Sequence, residues 1–525
     1  MSGTNENQNI FSSKAERKAE RRQAEERKKD RARRKTRNIA ITVILALVLL
    51  SSGAFFINSN YARRNLTAVS IAGRDFSAAE FEFFFHTSLA DYQNMVFAQT
   101  DTPWAFLPQF GIPLRSQMHS EDMTWADFIF ELAAEEMARM TMLYNAARDY
   151  GYVMRAESRE RLDNEMEELR LALTQERLSM SRWLRETFGR GMNERLYMNI
   201  VEFIFTANSF LEYMRESFTY STEELLAYYA EHSDLLDNFA YRWFLVRSEN
   251  VSRQDFETDE EFEEASEEAL TAAREQARQI AAGITTEEDF IAAARNHDPI
   301  QFADDGATLR IWQGEWLREE YRDWMTDSAR RPGEVATFDT TNGTIVLYFV
   351  DRDANDYLMV EMRHILVLRE EVHREQFEAF DDYGEPILDA YLEAVELMDQ
   401  FAFSRAREIY NTFVEGGATE ELLIEMMEEH SDDPAPGGLY TEVTKNQMVS
   451  EVNDWLFAPG RQVGDFELIR TEAFGYHLMF LSGFGEPLNE FIAESRMRER
   501  DHAEWAESLG TPEVTRHWAM RLIHV

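Results

Sequence analysis

The sequence predicts a multidomain α+β protein: a transmembrane helix, an all-helical module, two copies of one mixed α/β domain, and a closing helix. Three observations predict it. The chain has 525 residues, and one hydrophobic core usually serves about 100–200. Apolar residues recur at helical spacing up to about residue 237, and at mixed helix and strand spacing beyond it. The mixed stretch also repeats itself with a period of about 120 residues.

The N-terminal elements are set by charge. Residues 1–38 hold 13 Lys/Arg and 6 Asp/Glu, a net of +7, so the remainder carries −50 of the total of −43. Between them Ile39 to Ile57 has no charged residue, and Ile41 to Leu50 is almost wholly aliphatic. At 1.5 Å rise per residue such a run crosses a bilayer core. The basic flank lies N-terminal, which places residues 1–38 in the cytoplasm and the bulk outside it. Only Arg63 and Arg64 flank the far side closely. The alternative is a cleaved signal peptide, whose basic and hydrophobic regions are usually shorter. The tract Lys14 to Arg37 serves as a topology signal, with contact to anionic lipid as the rival reading.

Residues 65–237 form the helical module. Ser77-Ala-Ala-Glu80 reads as a capping box opening a helix with Phe81, Phe83, Phe84 and Phe85. From Thr124 to about Leu236 the breakers are few, chiefly Gly151, Gly189 and Gly191, and Leu196, Ile200, Phe203 and Ile204 keep helical spacing. Ser221-Thr-Glu-Glu224 caps a further helix.

Residues 238–354 and 358–486 are the two copies. Tyr241–Val246 and Met362–Val367 are short strands, each followed by an acidic helix-forming stretch. Tyr321-Arg-Asp-Trp324 matches Val452-Asn-Asp-Trp455, and Arg331-Pro-Gly-Glu-Val335 matches Gln462-Val-Gly-Asp-Phe466. Each copy closes on an apolar strand after a glycine, at Gly343 and at Gly475. Residues 487–525 are again helical and amphipathic, and complete the helical module. Asp351-Arg-Asp-Ala-Asn-Asp356 fails as a calcium loop, lacking glycine at the sixth position and glutamate at the twelfth. It reads as the linker between copies.

Only the second copy carries a polar constellation. Strand alternation puts His364 on one face with Met362 and Leu366. A turn-rich loop holds Ser431, Asp432 and Asp433, and His477 lies in the last strand. The first copy has Trp243 in place of His364 and Ile345 in place of His477, so the fold itself does not need these histidines. A lone strand histidine is usually a packed core residue; two histidines converging with a carboxylate point to a site. His373 and His430 read as solvated, and Asp432 as a loop cap.

These residues resemble the parvulin, or PpiC-type, peptidyl-prolyl cis–trans isomerases. The resemblance rests on Arg363-His364-Ile-Leu-Val367, Ser431-Asp432-Asp433, Gly437-Gly438-Leu439, Met448 and Gly475-Tyr-His477, in family order and spacing. The helical module resembles, more weakly, the chaperone domain of SurA-type and PrsA-type extracytoplasmic foldases, through Val69 to Phe81. The resemblance implies His364, Asp433 and His477 as catalytic residues, with Asp433 at a position that is Cys or Asp in the family. It implies Leu439 and Met448 in the proline pocket. Val452 stands where the family has phenylalanine, and Glu472 where it has threonine, with Thr471 adjacent. In the first copy, Leu317 and Tyr321 take the pocket positions and both histidines are gone, which marks that copy as degenerate.

The function expected is that of a membrane-anchored foldase acting on unfolded or newly exported proteins. No cofactor or metal is implied. The net charge excludes a general nucleic-acid binder, whose affinity comes from neutralising phosphates. The absence of cysteine excludes disulfides, thiol nucleophiles and a lipid attached through cysteine. The rival reading is a non-enzymatic holdase or scaffold whose repeated domains only bind peptide.

Overall fold

Local signals start the helices where the residues place them. The computed structural model describes residues 41–46, 48, 55–100, 102–302, 307–373, 388–433 and 438–523. The Ser77 hydroxyl accepts the Glu80 N–H, and the Glu80 carboxylate accepts the Ser77 N–H, opening the helix Ala78–Gln99. Ser221 and Glu224 do the same for Thr222–Glu231. Each box satisfies two donors that a helix start leaves orphaned.

The chain divides into two compact units: the described parts of 1–218 with 501–525, and those of 219–500. The first is built on the helices Ala78–Gln99, Trp125–Tyr150 and Glu194–Ser217. Phe76, Phe81, Phe84 and Phe85 are buried at its centre with Ile129, Met137 and Phe203. Beside them Arg63 and Glu82 form a buried ion pair at 2.9 Å.

This unit is not all-helical, which corrects the sequence reading. Strands β1 (Thr67–Ile71) and β2 (Arg74–Ser77) form a hairpin, and the distant strand Val514–Arg516 pairs with the other edge of β1. Ala519, Leu522 and Ile523 then join the same core. A strand of five residues whose partner lies more than 400 residues away leaves no local period to detect.

The boundary expected near 237 also moves, to about 218. The helices Thr222–Glu231 and Ser233–Leu236 belong to the second unit, where Leu225, Tyr229 and Leu236 meet Ala493 and Met497 of the helix Leu488–Ser508. Periodicity shows that a helix has an apolar stripe, but not what covers it.

The second unit contains the repeat. Strands β3 (Asn238–Arg247), β4 (Arg310–Gln313), β5 (Val335–Thr340) and β6 (Gly343–Asp353) form an antiparallel sheet of order β4-β3-β6-β5. Strands β7 (Leu358–Leu368), β8 (Leu439–Val443), β9 (Phe466–Thr471) and β10 (Gly475–Pro487) repeat it as β8-β7-β10-β9. Among the described residues, two α-helices follow the first strand of each copy and one short α-helix follows the second. Gly343 faces Arg247 and Thr340, as Gly475 faces Leu368 and Thr471. Counting along the strands from there sets Trp243 with His364 and Ile345 with His477. Both glycines have φ beyond +130°, and a Cβ would stand 2.2 Å from Val246 O or 2.5 Å from Val367 O. No other residue fits that close approach of two strands.

Each sheet of the repeat is apolar on both faces. In the second copy Ile365, Val367, Leu478 and Phe480 meet the long helices through Ala406 and Phe413. Val360, Met362, Met479 and Leu481 meet Val452 and Trp455 of the short helix Ser450–Leu456. His364 and His477 lie on this second face.

Residues 1–38, together with 39–40, 47 and 49–54 of the expected span, lie outside the described residues. Among the described residues no helix is long and apolar enough to cross a membrane. The described turns at 41–46 and 55–57 are helical and expose Ile41, Val43, Ile44 and Leu45.

Candidate active site

Three elements bring polar groups to the short-helix face of the second sheet. β7 supplies His364, β10 supplies His477, and the loop after the helix Glu420–His430 supplies Asp433. The loop is fastened along β7. The Ser431 hydroxyl accepts the Leu366 N–H, the Asp432 N–H donates to Leu366 O, and the Asp432 carboxylate accepts the Leu368 N–H. Arg405 holds Asp432 in turn at 2.8 Å. Asp432 is thus a structural clip, and Asp433 is left facing the histidines.

A continuous hydrogen-bonded chain results. His364 Nε2 lies 2.6 Å from Asp433 Oδ2, and its Nδ1 lies 3.0 Å from His477 Nδ1. His477 Nε2 lies 3.1 Å from Thr471 Oγ1, and the Tyr440 hydroxyl donates to Asp433 Oδ2 at 2.6 Å. One arrangement of protons satisfies the chain. Thr471 donates to His477 Nε2, His477 Nδ1–H to His364 Nδ1, and His364 Nε2–H to Asp433. Every donor then points toward the carboxylate, which carries the charge. Both histidines are buried and their rings stack, 5.2 Å apart at 16°.

Burial decides how these groups titrate. The His477 imidazole is pushed down to about 4, first by loss of water and then by His364 beside it. Burial, and then the bond to Asp433, push the Tyr440 hydroxyl up to about 12. In the unfolded chain His477 would titrate near the ordinary 6.5. Between pH 6.5 and 4 the unfolded chain therefore binds a proton that the folded chain refuses. Stability is full above about pH 6.5 and falls toward pH 4, by up to about 3 kcal/mol. Urea midpoints of the wild type should drop over that range, and His477→Gln should flatten the drop. An equal drop in both would exclude His477 as its source.

Beside the chain opens a cavity of about 380 Å³, within the usual range for small-ligand pockets, about 300–1,000 Å³. Met362, Leu366, Met448, Val449 and Val452 make its apolar lining, and Phe474 stands at the wall. His364, His477, Asp433, Tyr440 and Gln447 contribute the polar side. Apolar lining with one ordered polar edge suits a small ring attached to an amide. The first copy has a hollow of about 550 Å³ at the matching place, but Leu245, Arg318, Glu320, Asp339, Thr340 and Asn342 line it, so charged and polar groups replace the apolar wall and the histidines. Tyr321, matching Val452, is buried there and its hydroxyl bonds that of Tyr241 at 3.0 Å. Arg310 and Arg318 stack over Trp243.

Of the residues selected from sequence, His364, Asp433, His477, Met448 and Val452 meet at this cavity. Leu439 and Glu472 do not line it. Leu439 is exposed on β8, and its neighbour Tyr440 faces the cavity instead. A one-residue slip along a strand reverses the face. Glu472 is exposed, and its N–H donates to Glu451; the buried Thr471 takes the place beside His477. Sequence reasoning also missed Gln447 and Phe474. For Tyr440 and Thr471 the signal was adjacency to the chosen residues. Gly437, part of the sequence motif, lies outside the described residues.

No protein-family model matches this chain, and no curated protein matches it. Among solved structures, a chain from PEB4 and Cj1289, two SurA-like chaperones of Campylobacter jejuni, is 11% identical. The match covers 55% of this chain and 82% of that one, with a TM-score of 0.17. PrsA from Bacillus subtilis is 12% identical over 44% of this chain and 74% of its own, with a TM-score of 0.15.

Proposed function

We propose that the second copy of the repeat is a parvulin-type peptidyl-prolyl cis–trans isomerase. It would sit on an extracytoplasmic foldase held to the membrane by residues 39–57 and acting on unfolded or newly exported proteins. The observation that carries the reading is the open, apolar cavity with the Asp433–His364–His477–Thr471 chain along one wall, where the first copy has a hollow lined by Arg318, Glu320 and Asp339 and no histidine.

The chemistry needs no nucleophile. Rotation about a peptide bond faces a barrier of about 18–20 kcal/mol, because the twisted state loses amide resonance. An enzyme for this step must fit the twisted amide better than either planar form. An apolar pocket holds the ring while the carbonyl side swings past fixed dipoles, and each 1.4 kcal/mol gained is about tenfold in rate. The polar chain acts by position and field. For client holding, support comes from the end of the helix Ala78–Gln99 and the loop after it. Phe97, Trp104, Phe106, Phe110 and Ile112 are all exposed within 16 residues, and Pro103 to Leu114 carry no charge. Exposed apolar patches of this kind mark interaction surfaces. The same loop and the first copy, with Trp243 and Ile345 where the second has its histidines, favour the second reading, a holdase that binds peptide without turnover.

A protease-coupled assay on X–Pro peptides with the full chain separates the two. The wild type should accelerate isomerisation above background. Val452→Tyr, which puts the larger side chain of the first copy's Tyr321 into the apolar lining, should lower kcat/KM at least about tenfold. No acceleration, or acceleration indifferent to that substitution, would leave only the holdase.

A further inference from the structure

We propose that the first copy of the repeat positions the pocket wall of the second, through Lys445. This rests on reading the cavity as the peptide site, and gives the copy without histidines a task.

The wall in question is the loop between β8 and the helix Ser450–Leu456. It carries Gln447, Met448 and Val449 into the cavity lining. Asn446 in this loop and Glu442 near the end of β8 both have positive φ, +64° and +55°, so the chain turns sharply there at conformations that ordinary side chains disfavour. Such a loop needs outside support to keep one shape.

The support comes from residues that are not part of the second domain's own core. The Lys445 ammonium lies 3.0 Å from Asp353 Oδ2 and 3.9 Å from the centre of the Tyr357 ring. Its backbone N–H donates to the Tyr357 hydroxyl at 3.1 Å. Asp353 is the last residue of β6 in the first copy, and Tyr357 ends the linker. Tyr357 also meets Phe457, just past the short helix, edge-on at 5.5 Å.

The linker itself is rigidly held. Asn355 is fully buried with φ +55°. Its amide donates to the Tyr229 hydroxyl and to Leu236 O, and its Oδ1 accepts from Asn238 of β3. Its N–H donates to Asp353 Oδ1, the second oxygen of the carboxylate that holds Lys445. Asp353 is therefore fixed from the first copy's side and grips the pocket loop from the other. Two residues from Lys445 the grip reaches Gln447, at the cavity.

The arrangement tightens substrate binding and leaves the polar chain untouched, so its signature is a change in KM with kcat preserved. Asp353→Lys places two cations together and should raise KM about three- to fivefold. Lys445→Glu alone should do the same. The swapped pair, Asp353→Lys with Lys445→Glu, restores the ion pair but not the acceptor for the Asn355 N–H, so it should return part of the loss, and the pH profile should match the wild type in all variants. Amide hydrogen exchange at residues 446–449 of the full chain should rise in each single variant and fall again in the swap. That readout needs no substrate, so it tests the brace even if the wild type shows no turnover and the isomerase reading fails. Unchanged exchange in the single variants, or a swapped pair as impaired as the sum of the two, would overturn the proposal.

Discussion

Replacing Asp433 with alanine is expected to lower kcat/KM for X–Pro peptides by about a hundredfold or more, the usual loss when a preorganised polar group is removed from a dry site. Asp433 is where the donors converge: Tyr440 O–H and His364 both end on Oδ2. Without it, His364 Nε2–H loses its acceptor inside a buried wall, and nothing fixes its tautomer. The contact to His477 Nδ1 at 3.0 Å depends on that tautomer, so the loss travels to Thr471. Asp433→Asn keeps an acceptor and removes the charge, and should fall between wild type and alanine. Asp433→Cys, the residue that the resemblance allows at this place, should retain more activity than alanine. The coupled assay on the full chain checks this, with circular dichroism confirming the fold. Alanine within twofold of wild type would remove Asp433 from the mechanism.

The largest loss of stability is expected elsewhere, from Arg63→Ala. Arg63 and Glu82 are both almost fully shielded from water. Removing one member of such a pair strands the other charge and typically costs about 3–5 kcal/mol. Little relaxation is available to let water in. The loop Gly189–Gly191 lies over the pair: a Cβ on Gly189 would come within 3.0 Å of the Glu82 carboxylate, and one on Gly191 within 2.6 Å of Ala79 Cβ. Arg64 ties the same loop by donating to Gly191 O at 2.6 Å. Replacing both members together, Arg63→Met with Glu82→Leu, should cost far less, within about 1 kcal/mol of wild type, because no charge is stranded. Hydrogen exchange over residues 60–85 reports on this unit separately. A single variant costing no more than an exposed pair, about 1 kcal/mol or less, would show that water reaches the site.

The sequence revealed the repeat because each copy must place a glycine at one strand crossing, which fixes a ruler. Along that ruler Trp243 and His364 are counterparts, and so are Ile345 and His477. The capping boxes at Ser77 and Ser221 were legible because they are completed within four residues. Legibility failed where geometry works at single-residue precision. Leu439 and Glu472 were each one position from the residues that face the site, Tyr440 and Thr471, and only the strand register distinguishes them. It failed again where the partner is remote. Nothing near Thr67–Ile71 announces the strand Val514–Arg516, and nothing in the linker composition reveals that Asn355 is buried.

That remote pairing has a consequence for biogenesis. Val69 lies opposite Arg516, and the side chains of Ser70 and His517, 447 residues apart in sequence, bond at 2.8 Å. At a translation rate of about 5–20 residues per second, roughly 20–90 s separate the emergence of the two strands. During that interval the hairpin waits with one edge unpaired, and the phenylalanine-rich core lacks Leu522 and Ile523. The intervening residues 219–500 have every opportunity to fold first. A protein proposed to tend unfinished chains is therefore, during its own synthesis, an unfinished chain for tens of seconds.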